Sequence, residues 1–285
     1  MRSGPTRVVL NFANRCALNC EWCYVPFDLN RASYEVMKSI VDRVASLDFE
    51  VVTFGGGDPF QYRYIGSLAE QAKAAGLFVH IDTHGKALKK TKENELLLRQ
   101  HVNLLGLPID GPSTDIHDAM RTAPGHFKVV LDKAIWARDI GVTLKINTMI
   151  SKANISSLLD IGQLVNKLGP ARWSIYQYMA IGPGSKVSDN HLLDPSAFSH
   201  AVSEVLEIFS TDGRTIVEAA DAHSRRQTYP IIHHDGSLFL HSDDAESGMV
   251  RVGSIFDCTA RSSIDAVCGK ERELAFTRYK SSPDL

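Results

Sequence analysis

Three cysteines near the start of the chain, Cys16, Cys20 and Cys23, sit in the run Arg-Cys-Ala-Leu-Asn-Cys-Glu-Trp-Cys-Tyr. Thiolates spaced C-x3-C-x2-C suit three irons of a [4Fe–4S] cube and leave the fourth iron without a protein ligand. A cube held by four cysteines is saturated and suits electron transfer. A cube held by three offers an open iron to a small molecule, as a catalytic metal keeps an open position where a structural one is closed. Two other uses of thiols fit less well. Zinc favours paired C-x2-C knuckles and four N/S ligands, and only Cys20 and Cys23 form such a knuckle. Cys258 and Cys268 lie far downstream and are not one. A disulfide framework is at odds with five cysteines, an odd number, in a chain of 285 residues.

A second run has the composition of a ligand loop. Glu50-Val51-Val52-Thr53-Phe54 reads as a buried strand that passes directly into Gly55-Gly56-Gly57-Asp58-Pro59. Glycines at a strand end let the backbone approach a ligand closely, because they lack a Cβ and tolerate positive φ. A triple glycine by itself is most often a turn. Its place after a strand, downstream of the cysteines, gives it weight.

The cysteine triplet, with Trp22 just before its last member and Tyr24 just after, resembles the cluster motif of the radical S-adenosylmethionine (SAM) superfamily. The glycine run is similar to that family's Gly-Gly-Glu-Pro after its second strand, with Asp58 replacing the Glu. The resemblance implies a [4Fe–4S] cluster on Cys16, Cys20 and Cys23, whose open iron SAM chelates through its methionyl amine and carboxylate. It implies reductive cleavage of SAM to methionine and a 5′-deoxyadenosyl radical that takes a hydrogen atom from substrate. The implied SAM site comprises Trp22, Tyr24, Gly55, Gly56, Gly57 and Asp58. Asp82-Thr83-His84-Gly85 is similar to the family's Thr-Asn-Gly after strand three and adds Thr83 as a candidate contact, against a local capping role. Leu107-Pro108-Ile109-Asp110-Gly111-Pro112, then Ile116-His117-Asp118 and Arg121, resembles the Ser-Leu-Asp-Gly-Pro…His-Asp…Arg pattern of a branch that includes peptide-modifying enzymes. Asp110 and Arg121 are candidate contacts to SAM or substrate, against a structural turn and ion pair.

The elements that must carry these residues alternate. Strand-like runs cover Arg7–Phe12, Val51–Phe54, Phe78–Thr83, Val102–Ile109, Val142–Met149 and Trp173–Met179. Helical patterns fall at Tyr34–Leu47, Ile65–Ala75, Lys92–Arg99, Phe127–Ile140 and Ile155–Leu168. Strand and helix in alternation argue for an α/β fold with a parallel sheet and crossover helices. Six units are too few for a closed eight-fold barrel and match the TIM-like partial (β/α)6 barrel that the resemblance implies. Reactive positions of such barrels lie at the C-terminal strand ends, where the cysteine and glycine loops both fall. In strand five, Lys145 and Asn147 share one side opposite Leu144 and Ile146. Facing the lumen, they would need polar partners, which SAM could supply. Gln177 lies near the active-site end of strand six, with Tyr176 and Tyr178 on the opposite face. Residues 145–177 bear a loose likeness to viperin-like enzymes, which act on nucleotides.

The alternation stops after Gly182-Pro183-Gly184-Ser185. The expected organisation is a barrel over 1–185 and a C-terminal α+β cap over 186–285. The cap contains a helix at Ala197–Phe209 and a hairpin of Tyr229–His233 and Ser237–His241 turning at His234-Asp235-Gly236. Relatives of the SPASM type hold auxiliary clusters in this region, but Cys258 and Cys268 cannot supply a full ligand set. His223, His233, His234, His241, Asp243 and Asp244 could be read as a second metal site, although solvated hairpin residues account for them more simply. Lys145, Gln177 and His241 are the candidates for a catalytic group acting on substrate.

Charge and hydropathy narrow the class. Lys plus Arg number 31 against 33 Asp plus Glu, so no global basic field invites nucleic acid. The apolar stretch Val8–Phe12 is too short for a signal peptide or membrane span, and reduced thiols fit the cytoplasm. The cluster would draw electrons from a flavodoxin- or ferredoxin-type donor. Between substrates, a small molecule of nucleotide or sugar type is favoured over a ribosomally made peptide, because few residues precede Cys16 and the tail is poor in cysteine. A non-catalytic iron–sulfur or SAM-binding module is the reading from another class.

Overall fold

The computed structural model describes residues 6–12, 15–27, 33–210, 213–226, 229–242 and 248–268. The first six strands are β1 (Arg7–Asn11), β2 (Val51–Gly55), β3 (Phe78–Asp82), β4 (Leu104–Pro108), β5 (Leu144–Ile150) and β6 (Arg172–Gln177). They pair in parallel in chain order, as the alternation of strand and helix requires. Between them lie α1 (Tyr34–Ser46), α2 (Ile65–Ala74), α3 (Lys92–His101), α4 (Thr114–Arg121), α5 (His126–Asp139) and α6 (Leu158–Leu168). The stripe on α1 buries Met37, Ile40, Val41 and Val44, and the Ser33 side chain caps the helix by accepting the Val36 amide.

Alternation along the strands divides the molecule in two. Val8 and Leu10, Val52 and Phe54, Val79 and Ile81, Leu105 and Leu107, Leu144 and Ile146, and Trp173 and Ile175 point outward. There they form one apolar core with the helices. The inward set closes at the bottom with Val51, Leu104 and Phe78 and turns polar above them.

Beyond β6 come the short α7 (Ser188–His191) and α8 (Pro195–Phe209), followed by β7 (Ile216–Ala220). β7 adds a seventh parallel strand beside β6, one more than the sequence suggests. The hairpin β8 (Ile231–His233) and β9 (Ser237–His241), with β10 (Met249–Ser254), returns to the other edge, where β8 pairs in parallel with β1. The C-terminal segment thus continues both edges of the barrel's sheet, with strand order β10-β9-β8-β1-β2-β3-β4-β5-β6-β7 among the described residues. The final described helix, α9 (Ala260–Cys268), buries Ile264 and Cys268 in the outer core. Asp243 and Asp244 lie outside the described residues. No described helix is long and apolar enough to cross a membrane.

Candidate active site

The cysteine loop leaves the end of β1 and packs under backbone contacts that its sequence provides. The Cys23 amide bonds the Cys20 carbonyl (3.1 Å), and the Leu18 amide donates to Cys16 Sγ (3.4 Å). Trp22 Nε1 donates to the Met120 carbonyl (2.7 Å), and the Arg121 guanidinium stacks 4.8 Å over the Trp22 ring. Arg121 in turn bonds Asp110 Oδ2 through Nε (2.5 Å), while Asp110 Oδ1 accepts the Met149 amide (2.8 Å). Asp110 is fully buried, so its charge needs these partners. Both the ion pair and the turn are therefore present, and through them β4 and α4 clamp the cysteine loop.

Gly56 and Gly57 at the end of β2 have φ of +60° and +75°. Their freedom serves backbone packing directly. A Cβ on Gly57 would lie 2.6 Å from the carbonyls of Arg15 and Phe12, and one on Gly56 would lie 2.3 Å from Asn11 Oδ1. Gly55 is different: a Cβ there would meet nothing closer than 3.9 Å.

These loops wall one cavity of about 280 Å³. Cys16, Cys20, Cys23, Trp22, Tyr24, Gly55, Gly56, Gly57, Thr83, Arg121 and Asn147 all line it, so most of the expected site residues converge there. Five of them, Asp58, Asp110, Lys145, Gln177 and His241, do not line it. Asp58 is sealed from solvent and caps the turn Pro59–Gln61, accepting the Phe60 amide (2.9 Å) and the Thr83 hydroxyl (2.9 and 3.0 Å). Asp110 works from behind Arg121. Lys145 is buried with Nζ 2.9 Å from the Tyr176 hydroxyl. Gln177 faces away, donating to the Leu193 carbonyl (3.0 Å) and accepting the Ala222 amide (2.9 Å). It borders a second cavity of about 490 Å³, with His241, His223 and Arg226. Burial drives the pKa of His241 down to about 4, helped by Arg225 and Arg226, so that its ring is neutral near pH 7.

Beyond Lys145 and Asn147, the polar floor of the barrel has no signal in the sequence. Arg7 Nε donates to Thr53 Oγ1 (3.0 Å), which lies 3.2 Å from His80 Nδ1. His80 Nε2 lies 3.0 Å from Asp82 Oδ1, and Asn147 Nδ2 donates to the same oxygen (2.7 Å). Burial lowers the pKa of His80 to about 4. Burial pushes Asp82 the other way, but His80, with Lys145 and Arg7, holds its carboxyl below the usual range. Tyr176 and Tyr178, not Gln177, line the cavity, and Arg225 stacks 4.7 Å over Tyr176 while Arg7 stacks 4.7 Å over Tyr229. Parity carried this signal: Trp173 and Ile175 belong to the outer core, so even-numbered residues of β6 face in.

The donors suit the cofactors implied. Burial pushes the thiols of Cys16 up to about 12 and Cys23 to about 11, and raises Cys20 against the pull of Arg121. Thiols so buried ionise when a metal supplies the compensating charge. His84 Nε2 and Asn147 Oδ1 are buried polar atoms of cavity-lining residues with no protein partner among the described residues, as a polar ligand would require.

Comparison with known proteins agrees. Residues 10–165 match the family model described as the radical SAM superfamily. The chain is 27% identical over 178 residues to an AdoMet-dependent heme synthase of Oleidesulfovibrio alaskensis, covering 60% of this chain and 45% of that one. It is 24% identical over 201 residues to an S-adenosylmethionine-dependent nucleotide dehydratase of Flammeovirga pacifica, covering 66% and 68%. The chain spans about half the length of the heme synthases it matches. Its fold is similar to that of Streptococcus suis SuiB bound to S-adenosylmethionine, with a TM-score of 0.75 at 14% identity, over 95% of this chain and 68% of that one. Such enzymes use a [4Fe–4S] cluster and SAM within a partial TIM barrel. This chain belongs to the radical SAM superfamily.

Proposed function

We propose that this enzyme abstracts hydrogen from a small anionic molecule, of nucleotide or sugar-like type, in the cavity at the top of its barrel. Cys16, Cys20 and Cys23 would hold the cluster, and Trp22, Tyr24, Gly55, Gly56, Gly57, Thr83 and Asn147 would wall SAM. Cluster and SAM together supply hydrogen abstraction by a carbon-centred radical. The chain's own residues position the reactants and exclude water. Asp110 and Arg121 hold the cysteine loop through Trp22, and Gly56 and Gly57 let the two loops meet.

One observation carries the substrate class. Arg7, Arg121 and Arg225 line the cavity, and Asp82 is the one acidic residue among its described lining. Arginines thus outnumber acidic residues three to one on that lining, a balance that favours a phosphate or carboxylate. Tyr176 and Tyr229, each under an arginine, offer rings for a planar group.

Electrons would come from a flavodoxin- or ferredoxin-type donor in a reducing, cytoplasmic setting. The test is substrate-stimulated SAM cleavage by the reconstituted enzyme, screened with nucleoside triphosphates, sugar phosphates, porphyrin carboxylates and unmodified precursor peptides. Stimulation by an anionic small molecule, weakened by Arg225→Gln, supports the reading. Stimulation by peptides alone replaces it with peptide modification.

A further inference from the structure

The second cavity shares a wall with the first but not its charge. Tyr178, Met179 and Ile181 line both. The consecutive Arg225 and Arg226 diverge, the former lining the first cavity and the latter the second. Three arginines meet one aspartate on the first lining, whereas on the described lining of the second Arg226 is offset by Asp221. An anion therefore has no net field to enter there.

One polar group on this wall is incomplete. His241, at the end of β9, is 2% exposed. Its ring donates to the backbone carbonyl of Arg225. Nδ1 is buried and has no partner among the described residues, so that bond falls to Nε2. A carbonyl only accepts, and Nε2 therefore carries the proton. Burial beside two arginines keeps the ring neutral, which leaves the lone pair on Nδ1. Tyr229 packs edge-on against the ring, with centroids 6.0 Å apart, and holds it in place. A buried acceptor left open beside a cavity is costly unless a ligand completes it.

Met179, Ile181, Leu193 and Pro195 give the same cavity apolar surface. The matching ligand is uncharged and carries a hydrogen-bond donor on a partly apolar body. A sugar ring has this character, with hydroxyls at its edge and C–H groups on its faces. We infer that the second cavity binds a neutral hydroxylated ring, with His241 Nδ1 accepting a hydrogen bond from one hydroxyl. Arg226 supplies donors for a neighbouring hydroxyl oxygen. Two sources share this chemistry: a free sugar, or the far end of the anionic substrate, in which case the inference rests on the reading proposed above.

The test is anaerobic equilibrium dialysis of sugar phosphates, nucleoside triphosphates, glucose and ribose against the cluster-loaded protein with SAM. Iron content, melting temperature and SAM affinity are checked for each variant. His241→Phe should weaken binding of the sugar-bearing probe by about 10-fold, the scale of a hydroxyl left without its acceptor. His241→Asn, whose amide oxygen can stand near the place of Nδ1, should recover most of that loss. Both variants lose the bond to the Arg225 carbonyl, so recovery assigns the effect to Nδ1. A loss that His241→Asn shares in full overturns the hydrogen bond. A sugar phosphate or nucleotide weakened by both His241→Phe and Arg225→Gln puts the ring on the substrate. Glucose or ribose weakened by His241→Phe alone makes it a separate ligand. Should the His241 variants unfold, Ala222→Leu, which fills this cavity, should bring the same selective loss. Probes bound equally by wild type, His241→Phe and Ala222→Leu overturn the second site and leave the first-cavity reading standing. Wild type that binds none of the probes overturns both.

Discussion

The side-chain space of Gly106 is occupied by the carboxylate of Asp82. A Cβ built on Gly106 would lie 1.9 Å from Asp82 Oδ1 and 2.9 Å from Asn147 Nδ2. Gly106 therefore sits inside β4, where glycine ordinarily weakens a strand, to let β3 and β5 share a hydrogen bond across it.

Gly106→Ala should expel Asp82 from its bonds with His80 and Asn147. The expected cost is about 1–3 kcal/mol in urea unfolding, the range for overpacking a filled interior. SAM affinity and turnover should fall together, because Asn147, bonded to Asp82, is among the residues proposed to wall SAM. An unchanged midpoint and turnover would show that Asp82 has another place to go.

Gly55 and Gly57 should separate cleanly. Gly57→Ala meets two carbonyls at 2.6 Å in a left-handed backbone, so it should displace the cysteine loop and lower iron incorporation severalfold. Gly55→Ala, with 3.9 Å of clearance, should load iron like wild type. Any loss in Gly55→Ala should fall on SAM affinity. Iron and sulfide analysis after reconstitution distinguishes them.

Much of this was legible in advance. The strand-like runs Arg7–Phe12 and Trp173–Met179 mark two of the strands, and the cysteine spacing marks the rim. The contacts of the floor were not, since nothing local links Asp82 to Gly106 or His80 to Thr53. β7 leaves no apolar signal in the sequence because Ile216–Ala220 carries Glu218 inward, bonded to Arg172 (3.0 Å) and Ser174 (2.5 Å). α4 has no helical stripe to read in the sequence, because its buried residues are only His117 and Met120. The resemblance implies Asp58 at the ligand, but its carboxylate is buried and accepts the Phe60 amide and the Thr83 hydroxyl, contacts that spacing cannot show.

Asp110 and Arg121 form a buried ion pair, so removing one partner should cost more than removing both. Asp110→Asn or Arg121→Met should each destabilise by about 3–5 kcal/mol, since each strands a charge. The double variant should be less damaged than the sum. Denaturation of all four proteins gives the coupling energy directly, and strict additivity would contradict the clamp.

Acid should weaken the fold through its buried histidines. His117 Nδ1 accepts the Asp110 amide (3.1 Å), and its Nε2 lies 2.9 Å from His126 Nδ1, whose ring passes on to the His84 carbonyl. This chain runs in one direction with both rings neutral. Burial lowers His117 to about 3, and His126 and His241 to about 4. The unfolded chain takes up these protons near pH 6.5 and the folded one does not, so stability is complete above about 6.5 and falls as pH drops towards 4. The slope should be about 1.4 kcal/mol per pH unit for each histidine. His241→Asn should remove one histidine's share. A flat profile between pH 7 and 5 would refute the neutral assignment.

The central claim is that Cys16, Cys20 and Cys23 support radical chemistry on SAM. The most direct measurement is chromatographic detection of 5′-deoxyadenosine after anaerobic reconstitution, with SAM, dithionite and the substrate panel present. It should form with the wild type and with Cys258→Ala, and vanish in Cys16→Ala, Cys20→Ala and Cys23→Ala. Undiminished 5′-deoxyadenosine from the Cys20→Ala protein would contradict the account.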